Sequence, residues 1–242
     1  MPARKHMTEF AINMHLAHTM VLQQDDLKRV GEYNYFTTTN PCHIYLICRR
    51  PRILIDIENF KVDVDVVRFA FKIQKQDTFE NLEIEIPNNF GTTDLKLFSS
   101  YPNNNFEFYK DGERILWGKS AILLHKFGPQ YAKYLDLEVL YIGQSYGVDG
   151  ARTAPERLQN HSTLQGIYSE AIIKNPDYEV WLILTSFEQI LLTSIDGTMK
   201  LSNDEMEKDT EHLKNVTKTV LYKGLKEQQV INFTEAALIR YW

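Results

Sequence analysis

Leu82-Glu83-Ile84-Glu85-Ile86 reads apolar, acidic, apolar, acidic, apolar. A period of two puts the aliphatic side chains on one face of an extended chain and the carboxylates on the other, which predicts a strand with one dry and one wet face. The same texture lies upstream, where Ile53-Leu54-Ile55-Asp56-Ile57 is followed by Val62, Val64 and Val66 alternating with Asp63 and Asp65. Turn-forming residues punctuate these runs at Asn88-Asn89, Gly91, Pro102 to Asn105, and Asp111-Gly112. Residues 33–125 therefore predict short antiparallel strands forming a sandwich or rolled sheet. Phe10, Ile12, Met14, Leu16, Met20 and Leu22 predict a further alternating strand ahead of them.

Near residue 120 the texture changes. An apolar segment, Ser120 to His125, leads through Gly128-Pro129 to a strand over Leu137 to Ile142. Thr153-Ala154-Pro155-Glu156 and Ser162-x-x-Gln165 have the spacing of helix-capping boxes. Behind the second, Leu164, Ile167, Tyr168, Ala171 and Ile172 form one helical stripe that Asn175-Pro176 stops. Tyr178 to Thr185 predicts a buried strand, and helices are expected from about Asp204 and again up to Trp242. The expected class is α+β. An N-terminal antiparallel β-rich domain (1–115) precedes a small mixed α/β domain (116–242) whose central sheet is flanked by helices.

Composition sets outer limits on function. Hydrophobic residues at 43% and charged residues at 24% match an ordinary globular chain, which excludes disorder for its bulk. The longest apolar runs, Ile44 to Cys48 and Val180 to Leu184, fall far short of the roughly 18–20 residues that cross a bilayer. Glu9, His15 and His18 interrupt any signal-peptide core after Arg4 and Lys5, so a cytoplasmic protein without a membrane partner is expected. Cys42 and Cys48 would lie roughly 20 Å apart along a strand, so they are expected as free thiols. The net charge of −5 argues against a chain that grips a polyanion by charge alone.

Three motifs carry chemistry. Gly118-Lys119-Ser120 resembles the tail of a phosphate-binding loop, but position 113 is Glu where that loop needs glycine, and a plain turn is expected. Gly143-Gln144-Ser145-Tyr146-Gly147 has the Gly-x-Ser-x-Gly pattern of a nucleophile elbow. A serine hydrolase using Ser145, with Asp177, Asp196 or His212 as partners, is therefore one alternative. Against it, Val148 to Arg152 continues as loop where an elbow enters a helix at once.

The third constellation reads the same stretch differently. Tyr141-Ile142-Gly143 ends a strand and Ser145 follows; Arg157 and His161 lie four apart on one helical face; Glu235 sits late, in Thr234-Glu235-Ala236-Ala237-Leu238-Ile239. In this order the elements resemble the GIY-YIG nuclease family over residues 120–242. The resemblance implies an endonuclease that hydrolyses phosphodiester bonds in DNA. It implies Glu235 holding one Mg²⁺ or Mn²⁺, Arg157 clamping the scissile phosphate, Tyr141 activating water and His161 orienting or relaying protons. Gly143, Ser145 and Arg152 would contact the substrate. The family's first strand carries a Gly-Ile-Tyr tripeptide around ten residues earlier. Here that interval holds Tyr131 and Tyr134 without it, so the second tyrosine is unassigned. Asn232-x-x-Glu235 also has capping-box spacing.

Charge near the motif nearly balances, with Lys119, Lys126, Lys133, Arg152 and Arg157 against Asp136, Glu138, Asp149 and Glu156. Grip on nucleic acid would thus need the N-terminal domain, a protein partner or a homo-oligomer. A catalytically inactive module that keeps the fold for binding or assembly is the other alternative.

Overall fold

The computed structural model describes residues 6–33, 35–37, 41–146, 154–159, 162–222 and 226–241. With 45% strand and 33% helix it belongs to the α+β class. The first elements are β1 (Thr8–Leu22), α1 (Leu27–Glu32), β2 (Ile44–Pro51), β3 (Ile53–Val62), β4 (Val66–Lys75), β5 (Thr78–Pro87), β6 (Leu95–Phe98), β7 (Asn105–Lys110) and β8 (Glu113–Lys119). They continue with α2 (Ser120–Phe127), β9 (Glu138–Gln144), α3 (Ala154–Gln159), α4 (Ser162–Lys174), β10 (Tyr178–Ile195), α5 (Asn203–Val216) and α6 (Glu227–Tyr241).

Two compact units are not consecutive in sequence. Unit 1 holds residues 1–46, 141–160 and 182–242, and unit 2 holds residues 47–140 and 161–181. The division expected at residue 115 falls inside β8 and coincides with no boundary between them. A change of texture along the chain tracks local strand and helix preference, whereas a compact unit is defined by which elements share a core.

Unit 2 contains two three-stranded antiparallel sheets, β3-β4-β5 and β6-β7-β8. The alternation read at 82–86 holds: Leu82 and Ile84 are buried, while Glu83 and Glu85 face solvent. The run Val62 to Val66 is instead the turn between β3 and β4. Val62 pairs with Val67, the Asp63 amide donates to the Val66 carbonyl at 2.8 Å, and Val64 is exposed. Five alternating residues fit a strand or a tight connection equally, and the longer pairing of β3 with β4 decides. Asp111 (φ 52°) and Gly112 (φ 82°) make the expected two-residue turn between the paired Lys110 and Glu113.

The core of unit 2 is aliphatic and aromatic. Ile53 and Ile55 of β3, Val67, Phe69, Phe71 and Ile73 of β4, and Phe106 and Phe108 of β7 are buried with Leu123 and Leu124 of α2. Each such side chain contributes about 1.5–3 kcal/mol on leaving water. The Phe108 ring meets Phe60 and Phe69 at centroid distances of 5.6 and 6.4 Å. Gly118-Lys119-Ser120 is the junction of β8 with α2 rather than a plain turn. Ser120 donates from its amide to Asn104 O (2.8 Å) and from its hydroxyl to Asn103 O (2.9 Å).

Unit 1 is built on its parts of a four-stranded sheet in the order β1-β10-β2-β9. β1 pairs antiparallel with β10 from Thr8↔Ile195 to Leu22↔Leu182, with a bulge between Leu16 and His18. Cys42 and Cys48 are both buried and free, as expected. Cys42 Sγ donates to Thr185 O (3.3 Å) and Thr185 Oγ1 to Ile44 O (3.3 Å), fastening the start of β2 to β10. The helix expected from Asp204 is α5. Its capping box is Ser202, which accepts from the Glu205 amide while its own amide donates to the Glu205 carboxylate. The Thr153 cap lies outside the described residues. Among the described residues no helix is long and apolar enough to cross a membrane.

Candidate active site

Three segments of unit 1, on β9, α3 and α6, meet the start of β2. Tyr45 is fully buried, and its hydroxyl accepts a hydrogen bond from Arg157 Nε at 3.1 Å. In the sheet β9 lies beside β2, which brings Tyr141 to Tyr45 with ring centroids 6.2 Å apart and planes tilted by 31°. Gly143 makes this closeness possible. A Cβ there would stand 2.6 Å from Tyr141 Cε1 and 2.6 Å from both Cζ and the hydroxyl oxygen of Tyr45. Only a residue without a side chain fits between the two rings.

Arg157 is carried by α3. The first amide of that helix, Ala154 N, donates to Cys42 O at 2.9 Å, and Ala154 and Leu158 are buried beneath it. Glu235, on α6, is half-buried. Burial pushes its carboxyl above the ordinary glutamate value, and the Arg157 charge acts against that rise. Burial likewise raises the Tyr45 phenol; Arg157 opposes the rise, and a hydrogen bond with Tyr141 adds to it. A guanidinium, two phenols and a carboxylate thus share one electrostatic neighbourhood.

Of the residues singled out from the sequence, Tyr141, Gly143 and Arg157 meet around Tyr45, and Glu235 lies within electrostatic reach of Arg157. Ser145 is 1% exposed; its amide donates to His43 O at 2.7 Å and its carbonyl faces the His43 ring. His161 and Arg152 lie outside the described residues, as does Gly147 of the elbow pattern. His212 stacks on His6 at 4.0 Å. Asn232 caps nothing: it lies inside α6 and accepts from Gln228 Nε2.

Tyr45 and His43 escape a reading confined to residues 120–242. Tyr131 and Tyr134, which occupy the interval just before β9, belong to unit 2. Their hydroxyls are bonded there to Glu83 O and the Glu80 carboxylate. The signal for Tyr45 is present far upstream, as His43-Ile44-Tyr45 at the head of an apolar strand. Residues 47–140, the larger part of unit 2, separate it from Tyr141 along the chain.

Among the described residues no group of three or more His, Cys, Asp or Glu side chains could hold a metal ion. Glu235 is a single hard oxygen donor. That fits a Mg²⁺ or Mn²⁺ ion bound through one carboxylate, with water and substrate phosphate completing its coordination, and does not fit an all-protein cage.

No family model, curated protein or solved structure matches the chain. The functional reading therefore rests on the geometry of these side chains.

Proposed function

We propose that unit 1 is a metal-dependent endonuclease module of the GIY-YIG type acting on DNA. In this reading His43-Ile44-Tyr45 supplies the first tyrosine strand and Tyr141-Ile142-Gly143 the second. The observation that carries it is the Tyr45–Gly143–Tyr141 contact with Arg157 on the Tyr45 hydroxyl. Two tyrosines on neighbouring strands, a glycine that their approach requires, an arginine and a carboxylate are a sparse combination for a structural core.

Each group has a task in phosphodiester hydrolysis. The water oxygen bonds to phosphorus as the bond to the leaving sugar oxygen breaks. In this reading the Tyr141 hydroxyl oxygen would accept the proton of that water as its own hydrogen passes to solvent, and the leaving oxygen would be protonated from solvent. Burial raises the Tyr45 phenol, and in this reading its hydroxyl would hold Arg157 beside Tyr141. Arg157 Nε is committed to Tyr45, and its two terminal nitrogens would meet the phosphoryl oxygens bidentately. Glu235 would hold the cation, which when bound supplies neutralisation of phosphoryl charge.

Nicking of supercoiled plasmid with Mg²⁺ or Mn²⁺ tests the reading. Wild type should nick, and Glu235→Ala, Arg157→Ala and Tyr45→Phe should each lose about 10²-fold or more. Cleavage should fall steeply between about 50 and 200 mM salt, because phosphate contacts release counterions. A folded wild type that cuts no DNA with either metal would leave the inactive binding module. Fluorophosphonate labelling that survives EDTA and is lost in Ser145→Ala would point to the serine hydrolase.

A further inference from the structure

We infer that His43 is a positioning residue that clamps α6, and with it Glu235, to the strand carrying Tyr45. Its catalytic consequence rests on the nuclease reading; the clamp itself does not.

His43 is only 5% exposed, and a buried imidazole is costly unless both nitrogens find partners. Both do. Nδ1 lies 2.5 Å from the Ser145 carbonyl oxygen, and Nε2 lies 3.2 Å from Glu227 Oε1. A carbonyl oxygen only accepts, so Nδ1 is the donor in that contact, and the opposite nitrogen faces the Glu227 carboxylate. Bonds on opposite sides of the ring arrest its rotation, and Tyr146 meets it edge-on at 5.5 Å. The Ser145 amide donates back to His43 O at 2.7 Å, so residues 43 and 145 are tied twice.

The helical end of the clamp matters because α6 is otherwise thinly held. Of its residues only Ile231 and Thr234 are buried. Glu227, Ile231, Thr234 and Glu235 follow an i, i+4, i+7, i+8 pattern and so share one face. The eight steps from Glu227 to Glu235 span about 12 Å along the axis. A bond in the first turn therefore sets the height and rotation at which Glu235 arrives, two turns later. His43 touches no reacting atom in this scheme. It decides where the carboxylate stands.

Backbone hydrogen exchange of α6 and plasmid cleavage, measured on the full chain, test this together. Glu227 is 46% exposed, so replacing it leaves the core intact. Glu227→Ala should speed exchange over residues 231–241 about 10-fold or more. It should lower kcat about 10–100-fold while leaving KM for DNA within about twofold. Glu227→Gln keeps an acceptor oxygen and should restore most of both. His43→Ala combined with Glu227→Ala should be no worse than His43→Ala alone. The His43 ring should show a slowly exchanging Nδ1 proton in wild type. Unchanged α6 exchange in Glu227→Ala, additive losses in the double variant, or a ring without that proton overturns the clamp. Altered exchange in a protein that cuts no DNA would sink the nuclease reading and leave the clamp standing; normal cleavage with unaltered exchange would do the reverse.

Discussion

Gly143→Ala is the smallest change that addresses the heart of the site. The added methyl would stand 2.6 Å from carbons of both tyrosine rings, whereas ordinary contact begins near 3.4 Å. The rings must therefore separate by about 0.8 Å or the strands must part, since the backbone on either side belongs to β9. Overpacking of this kind costs about 1–3 kcal/mol. In a chain of this length that lowers Tm by about 2–12 °C, at roughly 2–4 °C per kcal/mol. The Tyr45 hydroxyl, 3.1 Å from Arg157 Nε, has little room to move before that hydrogen bond is lost. A shift of about 1 Å in a positioned group costs about 10²-fold in rate. Thermal melting and plasmid nicking are the assays, with Gly166→Ala as the control. A Cβ at Gly166, inside α4, meets nothing within 4 Å, so that change should stabilise by about 0.5–1 kcal/mol. If Gly143→Ala melts and cuts like wild type, the close approach of Tyr45 and Tyr141 is not what makes the site.

Glu235 should make stability depend on pH in a known direction. Its folded-state carboxyl is raised by burial, so the folded chain holds a proton that the unfolded chain has already released, and stability falls as pH rises through that window. Glu235→Gln should accordingly be more stable than wild type at pH 7, and urea titrations should show the advantage vanish as pH drops below the ordinary carboxylate range; a gap independent of pH contradicts the burial. Both thiols are pushed up to about 12 by burial, so neither Cys42 nor Cys48 should react with a disulfide reagent at pH 8 until the chain is unfolded, when both should. In unit 2, Arg50 lies over the Trp181 ring at 3.9 Å and donates to Glu179, with both charged side chains under 10% exposed. Glu179→Ala strands that guanidinium and the Trp181 Nε1 donor, and should destabilise by about 3–5 kcal/mol in denaturant titration; a loss below about 1 kcal/mol would mean that water reaches the pair.

Local chemistry made much of the fold legible. The dry face of Leu82 and Ile84, the helix from about Asp204 and the strand ending in Tyr141-Ile142-Gly143 follow from spacing and side-chain type over a few residues. Val62 to Val66 shows where such reasoning reaches its limit, because a turn satisfied the same alternation. At the candidate site, Gly143, Arg157 and Glu235 were singled out by residue type and order, and the part that Tyr45 plays beside them was not.

What the amino-acid sequence determined by itself was the inventory: strands with one wet face, helices in the second half, free thiols, and a glycine after a tyrosine at a strand end. Tertiary structure alone decided that Tyr45 is the neighbour of Tyr141, and that His43 reaches Ser145 and Glu227. Which strands become neighbours is set by the pairing of distant backbone and the burial of shared faces, neither of which leaves a mark at short range. The entropy of closing a loop grows only logarithmically with its length, so a folded unit can stand between two partner strands at little thermodynamic cost. The tyrosines meet across that insertion because the sheet order β10-β2-β9 places their strands side by side.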